Sequence, residues 1–551
     1  TIREVRVNID LTTTHNIQMQ SEAIAGQEVI VEATEPVVQP DVSANVANVS
    51  AEEIENIPVA GVSEFVNLQA GIEPGMQIRG SGMGEMSFMI DGMSTRDAHT
   101  NQPFTGVSYT SVADFQVQTG GFNAEYGQVR SGLINVVTKE GDRDRYSLEV
   151  LARYSPAQKR YFGISPDDPM SFYNRAYMDP DVAFVGTDSE ESPWDYYTQR
   201  QNQQFDGWND KVADYNDENN HMSPQQALEL YKWRTRKDVS PSVPRADFDA
   251  SLSGPVPFIS EALGDLRFIG SYRRVQKPYI VPQNRDRMVE QLGQVKVTSN
   301  LSQNMKLVLS GMVSEQTGLG HGYQTMYSGD TPSYPWDNRW SGHLLANDVI
   351  TGGDDPEWMI NAYYMDNPVD IIRNMFAAKL THTLSQNTVY EVKLQRNATN
   401  SLNRPGRYRD FTPVKFFGTY GADEAPQGWT EIGFFDPVND DMRLSGHWGH
   451  DRDSSEVSLW NGSFDLTSQL AHFSQFKAGV EFYYESHDAI YGQWDDYFSN
   501  EAPKYIWNRN IFQGAAYLQN KLEFQGLVAN IGFRMDYFNP IQDYYVYDKW
   551  T

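Results

Sequence analysis

Alternating apolar and polar residues fill the last two-thirds of this chain. From Leu527 to Tyr537 every odd position is apolar. The even positions carry Asn530, Gly532, Arg534 and Asp536, with Val528 the exception. From Phe476 to Glu485, one face holds Phe476, Ala478, Val480, Phe482 and Tyr484. The other holds Lys477, Gly479, Glu481 and Glu485, with Tyr483 among them. A period of two means strands with one apolar face. Similar runs start near Leu148, Phe248, Phe268, Val295, Leu307, Phe376, Val389 and Leu459. The pattern predicts about eleven strands of about 10 residues, a length that crosses a bilayer at a tilt.

The connections are of two kinds. Leu301-Ser302-Gln303-Asn304, Leu384-Ser385-Gln386-Asn387 and Gln525-Gly526 read as tight turns. Long polar stretches, at 156–244, 314–373, 397–455 and 488–511, alternate with them. Short turns at one end and long loops at the other are the asymmetry of an outer-membrane β-barrel. Plugged transporters have about 22 strands, so about half of such a barrel is expected here.

Ahead of this region the strands are short and marked by glycines. Ser50-Ala51-Glu52-Glu53 carries a capping-box signature before Ile54 and Ile57. Ser63 to Ala70 predicts a second short helix, stopped by Gly71. Then come Ile78-Arg79-Gly80, Met89-Ile90-Asp91-Gly92, Gly120-Gly121-Phe122-Asn123-Ala124-Glu125-Tyr126-Gly127, and Ser131-Gly132-Leu133-Ile134-Asn135-Val136-Val137-Thr138-Lys139. Asp91-Gly92 reads as a tight turn in which glycine supplies a positive φ. Gly127 and Gly132 permit close backbone approach.

This series resembles the plug domain of TonB-dependent outer-membrane receptors. The motif residues are Arg79, Gly80, Asp91, Gly92, Glu125, Tyr126, Gly127, Arg130, Gly132 and Asn135. The resemblance implies a mainly β chain: a small α/β plug at 45–140, then a partial transmembrane antiparallel barrel at 146–551. Residues 1–25 resemble the end of a carboxypeptidase-regulatory-like β-domain. A Ton-box-like segment and linker would occupy 26–44. Glu28-Val29-Ile30-Val31-Glu32-Ala33-Thr34 is short, β-prone and followed by prolines at 36 and 40. A free strand of that kind can add itself to a partner's sheet. The resemblance makes that partner a TonB-type energy-coupling protein.

The resemblance further implies outer-membrane lipid around the barrel and a nutrient ligand: glycan, peptide or chelated metal. A surface lipoprotein would be a further partner. The cell would be a Gram-negative bacterium. Arg79 and Arg130 are candidates to pair with lumen carboxylates Glu481 and Glu523. Ligand contacts are expected on the outward plug segments 81–85 and 97–109, and on the first long loop. There Trp194, Tyr196, Tyr197, Trp208 and Trp233 could stack on ligand, or pack the loop on itself.

Bulk properties narrow the alternatives. The 551 residues carry a net charge of −29, against clustered phosphate binding, so no nucleic-acid partner is expected. No cysteine is present, so disulfides and thiolate metal sites are excluded. Mean hydropathy is −0.57, and no apolar run reaches the ~18 residues of a membrane helix. Paired carboxylates at 167–168, 190–191 and 354–355 fall in polar stretches and read as solvated. No catalytic motif appears, so no enzyme activity, cofactor or metal is expected. Two alternatives remain: a passive barrel or adhesin, and a soluble all-β glycan-active enzyme. The clean apolar face at 527–537 weighs against the second.

Overall fold

The structure, a computed structural model, describes residues 46–50, 66–158, 163–234, 242–278, 285–320, 367–404, 415–422, 451–493, 504–524 and 527–541, apart from positions 70, 74–76, 82, 99–101, 166, 167, 173, 217 and 220. The regulatory-like end at 1–25, the Ton-box-like segment at 28–34 and the capping box past Ser50 lie outside the described residues.

The first unit contains β1 (Val46–Ser50), β2 (Ile72–Glu73), β3 (Gln77–Ile78), β4 (Met86–Ile90), β5 (Met93–Ser94), β6 (Arg96–Asp97), β7 (Gln102–Pro103), β8 (Val112–Gln118) and β9 (Gly132–Thr138). Five of these form one mixed sheet in the order β1-β8-β9-β4-β5, with β4 and β9 parallel. Parallel strands are buried on both faces, so they read as near-continuous apolar runs. Gly132 to Val136 of β9 is buried throughout. Asp91 and Gly92 both have positive φ, at 53° and 77°, and close the β4–β5 hairpin. Such a two-residue turn matches strand twist, and aspartate tolerates the left-handed region better than most side chains.

The second unit is one sheet of eleven antiparallel strands: β10 (Ser147–Ser155), β11 (Arg245–Pro255), β12 (Arg267–Pro278), β13 (Arg287–Ser302), β14 (Met305–Gly320), β15 (Asn367–Ser385), β16 (Thr388–Asn403), β19 (Asp451–Ala471), β20 (Ser474–Gln493), β21 (Lys504–Phe524) and β22 (Leu527–Asn539). A separate hairpin, β17 (Lys415–Phe417) with β18 (Tyr420–Ala422), interrupts the numbering. Each long strand pairs with the next along the chain, so the sheet is a meander. The chain is mainly β, as its alternation predicts.

Strand length departs from expectation. The strands run from 9 residues in β10 to 21 in β19. Parts of the stretches read as loops, at 314–320, 367–373 and 397–403, are strand. Ladder hydrogen bonds come from the backbone, so neighbouring strands stay paired beyond the band where the apolar pattern is clean.

The sheet curves around the first unit. Eleven strands about 4.8 Å apart would span about 48 Å if flat. Yet Lys139, just after β9, bonds Glu149 of β10 at 2.7 Å, while Ala124 of the loop between β8 and β9 bonds Gln519 of β21 at 2.8 Å. A small domain touches both ends only if the sheet wraps it. The wrapped face is mostly polar, and the outer face is apolar and bare. Ile531, Phe533 and Met535 on β22 are 67%, 69% and 63% exposed. On the inner face between them, Arg534 and Asn530 reach the plug. Apolar faces on nearly every strand exceed what soluble monomers expose.

Candidate functional site

The site is the contact between the plug and its wall. The plug core of Phe88, Ile90, Phe115, Val117, Ile134 and Val136 is continuous with Leu292, Met312 and Met375. Those three come from β13, β14 and β15. Fully burying one such side chain stabilises by roughly 1.5–3 kcal/mol.

Three buried charge clusters lie on the same side. Asp249 of β11 has no solvent exposure. It accepts from Ser108 Oγ at 2.6 Å, Thr110 Oγ1 at 2.8 Å and the Tyr109 backbone N–H at 2.6 Å. Arg273 of β12 stands 3.7 Å from the oxygen that accepts from Tyr109 and donates to the Val107 carbonyl at 3.1 Å. The Arg273 guanidinium also covers the Tyr109 ring, 4.2 Å from its centre. Segment 107–110 therefore docks on the wall and is not the outward, ligand-facing apex expected for 97–109.

The second cluster centres on Asp91. The Thr138 N–H and Oγ1 donate to its two oxygens at 2.9 and 2.6 Å. Lys296 of β13 donates to the carboxylate at 3.2 Å and to the Thr138 carbonyl at 2.9 Å. In the third, Arg373 of β15 meets Asp97 at 3.3 Å and Gln316 at 2.6 Å, with its guanidinium 5.1 Å from the Phe104 ring centre. Buried charges must be paired to be tolerated, and each of these is.

The motif residues shape the plug's own backbone. Arg79 and Gly80, at φ 55° and 75°, turn the chain after β3. Asn135 Oδ1 accepts from the Gly92 N–H at 3.1 Å, tying the β4–β5 turn to β9. At Gly132 a Cβ would lie 2.0 Å from Ile78 Cδ1. At Gly127 it would lie 2.3 Å from the Arg534 guanidinium. Glu125 bonds Lys477 of β20 at 3.1 Å.

The expected pairing of Arg79 and Arg130 with Glu481 and Glu523 is not what forms. Glu481 is held by Arg534 at 2.9 Å and by the Tyr483 hydroxyl, both on the wall. Glu523 pairs with Lys521 two residues away, at 2.6 Å. The Arg79 guanidinium lies instead against Gly120 within the plug. Lys521 shares the inward face of β21 with Glu523, and Arg534 of β22 reaches Glu481 of β20 across β21, so both carboxylates are met within the wall. The pairs that do join plug to wall were missed. Their signal is visible: Asp247, Asp249 and Ser251 alternate with Phe248, Ala250 and Leu252 on β11.

Between the plug and the start of β10, Glu140 takes hydrogen bonds from Arg267 at 2.8 Å and from Lys306. Burial alone would raise its carboxyl, but these two cations outweigh it and hold the group below the ordinary carboxylate range.

The first long connection is a small folded cap. Helices span Arg175–Met178, Tyr196–Gln201, Trp208–Tyr215 and Pro224–Arg234. The last opens with a reciprocal capping box: Gln226 Oε1 accepts from the Ser223 N–H at 2.9 Å, and Ser223 Oγ from the Gln226 N–H at 3.2 Å. That Ser-x-x-Gln signal stands in the sequence at 223–226. Asp195 caps the helix Tyr196–Gln201, and the Thr198 backbone N–H holds its carboxyl below its ordinary range.

The cap overturns part of the ligand expectation. Trp208 is fully buried and donates from Nε1 to the Tyr177 carbonyl at 2.8 Å. Trp194 is buried in the same core, and Trp233 packs on it 5.8 Å from Phe417 of the β17–β18 hairpin. Trp208 and Trp233 stand on helices, whereas Trp194 lies in the stretch just before Asp195. Tyr196 and Tyr197 remain exposed, at 60% and 72%. Trp208→Ala is expected to cost about 3–5 kcal/mol within the cap. Hydrogen exchange should then rise across 174–234 and stay unchanged in β13–β16; unchanged exchange in the cap would refute this core.

Comparison with known proteins agrees with the plug. The TonB-dependent Receptor Plug Domain family matches residues 38–132. The TonB-dependent transporter Oar of Myxococcus xanthus is 27% identical over 165 residues, 28% of this chain and 15% of the relative. The siderophore receptor PirA of Pseudomonas aeruginosa superposes with a TM-score of 0.47 at 13% identity, over 90% of this chain and 56% of that one. The outer membrane transporter YddB of Escherichia coli gives 0.49 at 11% identity, over 91% and 58%. The chain thus spans just over half the length of these solved structures. Residues 38–132 match the plug domain family of TonB-dependent receptors, and the chain that carries them resembles the TonB-dependent receptors and transporters.

Proposed function

We propose that this chain is the plug and part of the barrel of an energy-coupled importer in the outer membrane of a Gram-negative bacterium. One observation carries the reading: a plug domain is wrapped by a sheet that is polar toward it and apolar on the outside. Hydrocarbon is the solvent that suits that outer face, and a hydrogen-bonded lumen suits a stopper that must shift. The machinery moves solute and makes or breaks no covalent bond.

In this reading the long connections face outside, and cargo first meets the folded cap. Tyr196 and Tyr197 are the contact residues that its surface offers, with Arg200 stacked on Tyr196 at 4.9 Å. With Trp194 and Trp208 buried in the cap and Trp233 half-buried against them, the aromatic argument for glycans rests on those two tyrosines. The cargo is a nutrient: a glycan, a peptide or a chelated metal. Work would arrive through 28–34, which would add a strand to a TonB-type coupling protein. A surface lipoprotein on the cap remains part of the proposal.

Deleting residues 27–34 tests the energy coupling. Growth on a cargo nutrient should fall to the level of a strain lacking the protein, while its amount in the outer membrane stays normal. Unchanged growth would favour the passive barrel or adhesin.

A further inference from the structure

Two bare cations stand on the side of the wall that faces away from the plug. On β12, Arg274 is exposed between Arg273 and Val275, which are both buried. On β16, Arg396 stands between Gln395 and Asn397, which both donate to the Ser94 carbonyl of the plug. Successive strand residues point opposite ways, so both guanidiniums lie on the outer face. Among the described residues neither has a carboxylate partner. Arg396 lies over the Trp460 ring instead, 5.9 Å from its centre, and Trp460 is exposed on the same face. Arg274 is two residues beyond Tyr272, whose ring centre is 6.5 Å from that of Phe248. Lysines of the wall do the reverse. Lys296, Lys306, Lys379, Lys393, Lys477 and Lys521 line the cavity between wall and plug.

The two arginines stand at like depth. Arg274 is seven residues past Arg267, where β12 begins, and Arg396 is eight past Thr388, where β16 begins. Both strands start at the end with short connections. About 9–11 strand residues cross the hydrocarbon of a bilayer. The side chains nearer the short connections are apolar and exposed: Val392 and Leu394 on β16, and Phe376 on β15. Each charge therefore stands at the outer edge of the apolar band, beside the rings that mark headgroup level. Farther out on the same face, Asp370 is shared by Arg285, at 2.7 Å, and Arg404. That trio keeps one positive charge, in a chain whose net charge is −29.

We propose that this rim of the outer face binds the phosphate groups of an anionic glycolipid in the outer leaflet, with Arg274 and Arg396 each holding one phosphate. A guanidinium offers phosphate two parallel hydrogen bonds, which an ammonium cannot. The occupant is a lipid and not a soluble anion, because exposed apolar side chains adjoin both arginines and acyl chains would cover them. This inference rests on the outer-membrane reading, and its test needs no cargo.

The test titrates the detergent-solubilised protein with diphosphoryl lipid A and counts bound lipid by native mass spectrometry. Arg274→Gln combined with Arg396→Gln should weaken binding roughly tenfold, the worth of about one charge-assisted hydrogen bond. The Phe115 and Ile134 amides should keep their protection from exchange, since neither arginine touches the core. Lipid A stripped of its phosphates should bind the native protein as weakly as the double variant binds the diphosphoryl form. Lys379→Gln, which removes an inward charge, should leave binding unchanged. Equal binding by native protein and the double variant would overturn the proposal. So would an equal loss in Lys379→Gln, or displacement of the lipid by an equal concentration of inorganic phosphate. Failure of the import reading would show separately, as growth indifferent to residues 27–34 in a protein that still holds the lipid.

Discussion

Replacing Asp249 by alanine is expected to lower stability by about 3–5 kcal/mol, because three donors lose a buried acceptor and a buried cation loses one of its carboxylates. The carboxylate is wholly buried, and three donors from segment 108–110 converge on it. Without it, the Tyr109 N–H and two hydroxyls lose this acceptor, while Arg273, only 4% exposed, keeps Asp247 at 3.3 Å. Denaturant unfolding in detergent, followed by amide exchange in the plug, would measure the loss. Exchange should rise first at 104–112. Combined with Arg273→Met, the loss should be smaller than the sum of the two single changes, because Asp249 and Arg273 belong to one network. A loss under about 1 kcal/mol, or a double variant worse than the sum of both single changes, would show that the cluster does not anchor the plug.

Lys296→Met should have the next largest effect, about 3 kcal/mol by the same reasoning. Its ammonium is 6% exposed and joins the Asp91 carboxylate to the end of β9. Methionine keeps the stem's volume and removes the charge, so packing changes little. Asp91 would keep its two bonds from Thr138 and lose its only cation among the described residues. The β4–β5 turn should loosen, seen as faster exchange at Gly92 and Met93. Asp91→Asn in the same protein should restore part of the stability. If Lys296→Met alone leaves thermal unfolding unchanged, the ion pair is ornamental and the plug is held on this side by its apolar core.

Much of this architecture is legible in the residues themselves. The alternation on β20 and β22 assigned inner and outer faces that the structure reproduces, because a strand leaves each side chain only two directions. The turns after Ser302 and Ser385 were legible for the same local reason. The cap was harder. Its Ser223-x-x-Gln226 box and the Trp208–Val212 spacing were present, but a long acidic stretch masks short amphipathic helices. Three tryptophans that looked like ligand contacts became its core and its packing.

Charge pairing was the least legible part. Arg79 and Arg130 looked like the plug's reach toward the wall, yet Asp91, Asp97 and segment 108–110 make the buried connections. Sequence alone determined the elements, their faces and the glycine-marked turns, since these depend on neighbours a few residues apart. Tertiary structure alone decided which charges meet and which side of the plug is held dry. Those contacts join residues some 140 to 400 positions apart, and the register of the wall against the plug, which no local pattern encodes, selects them.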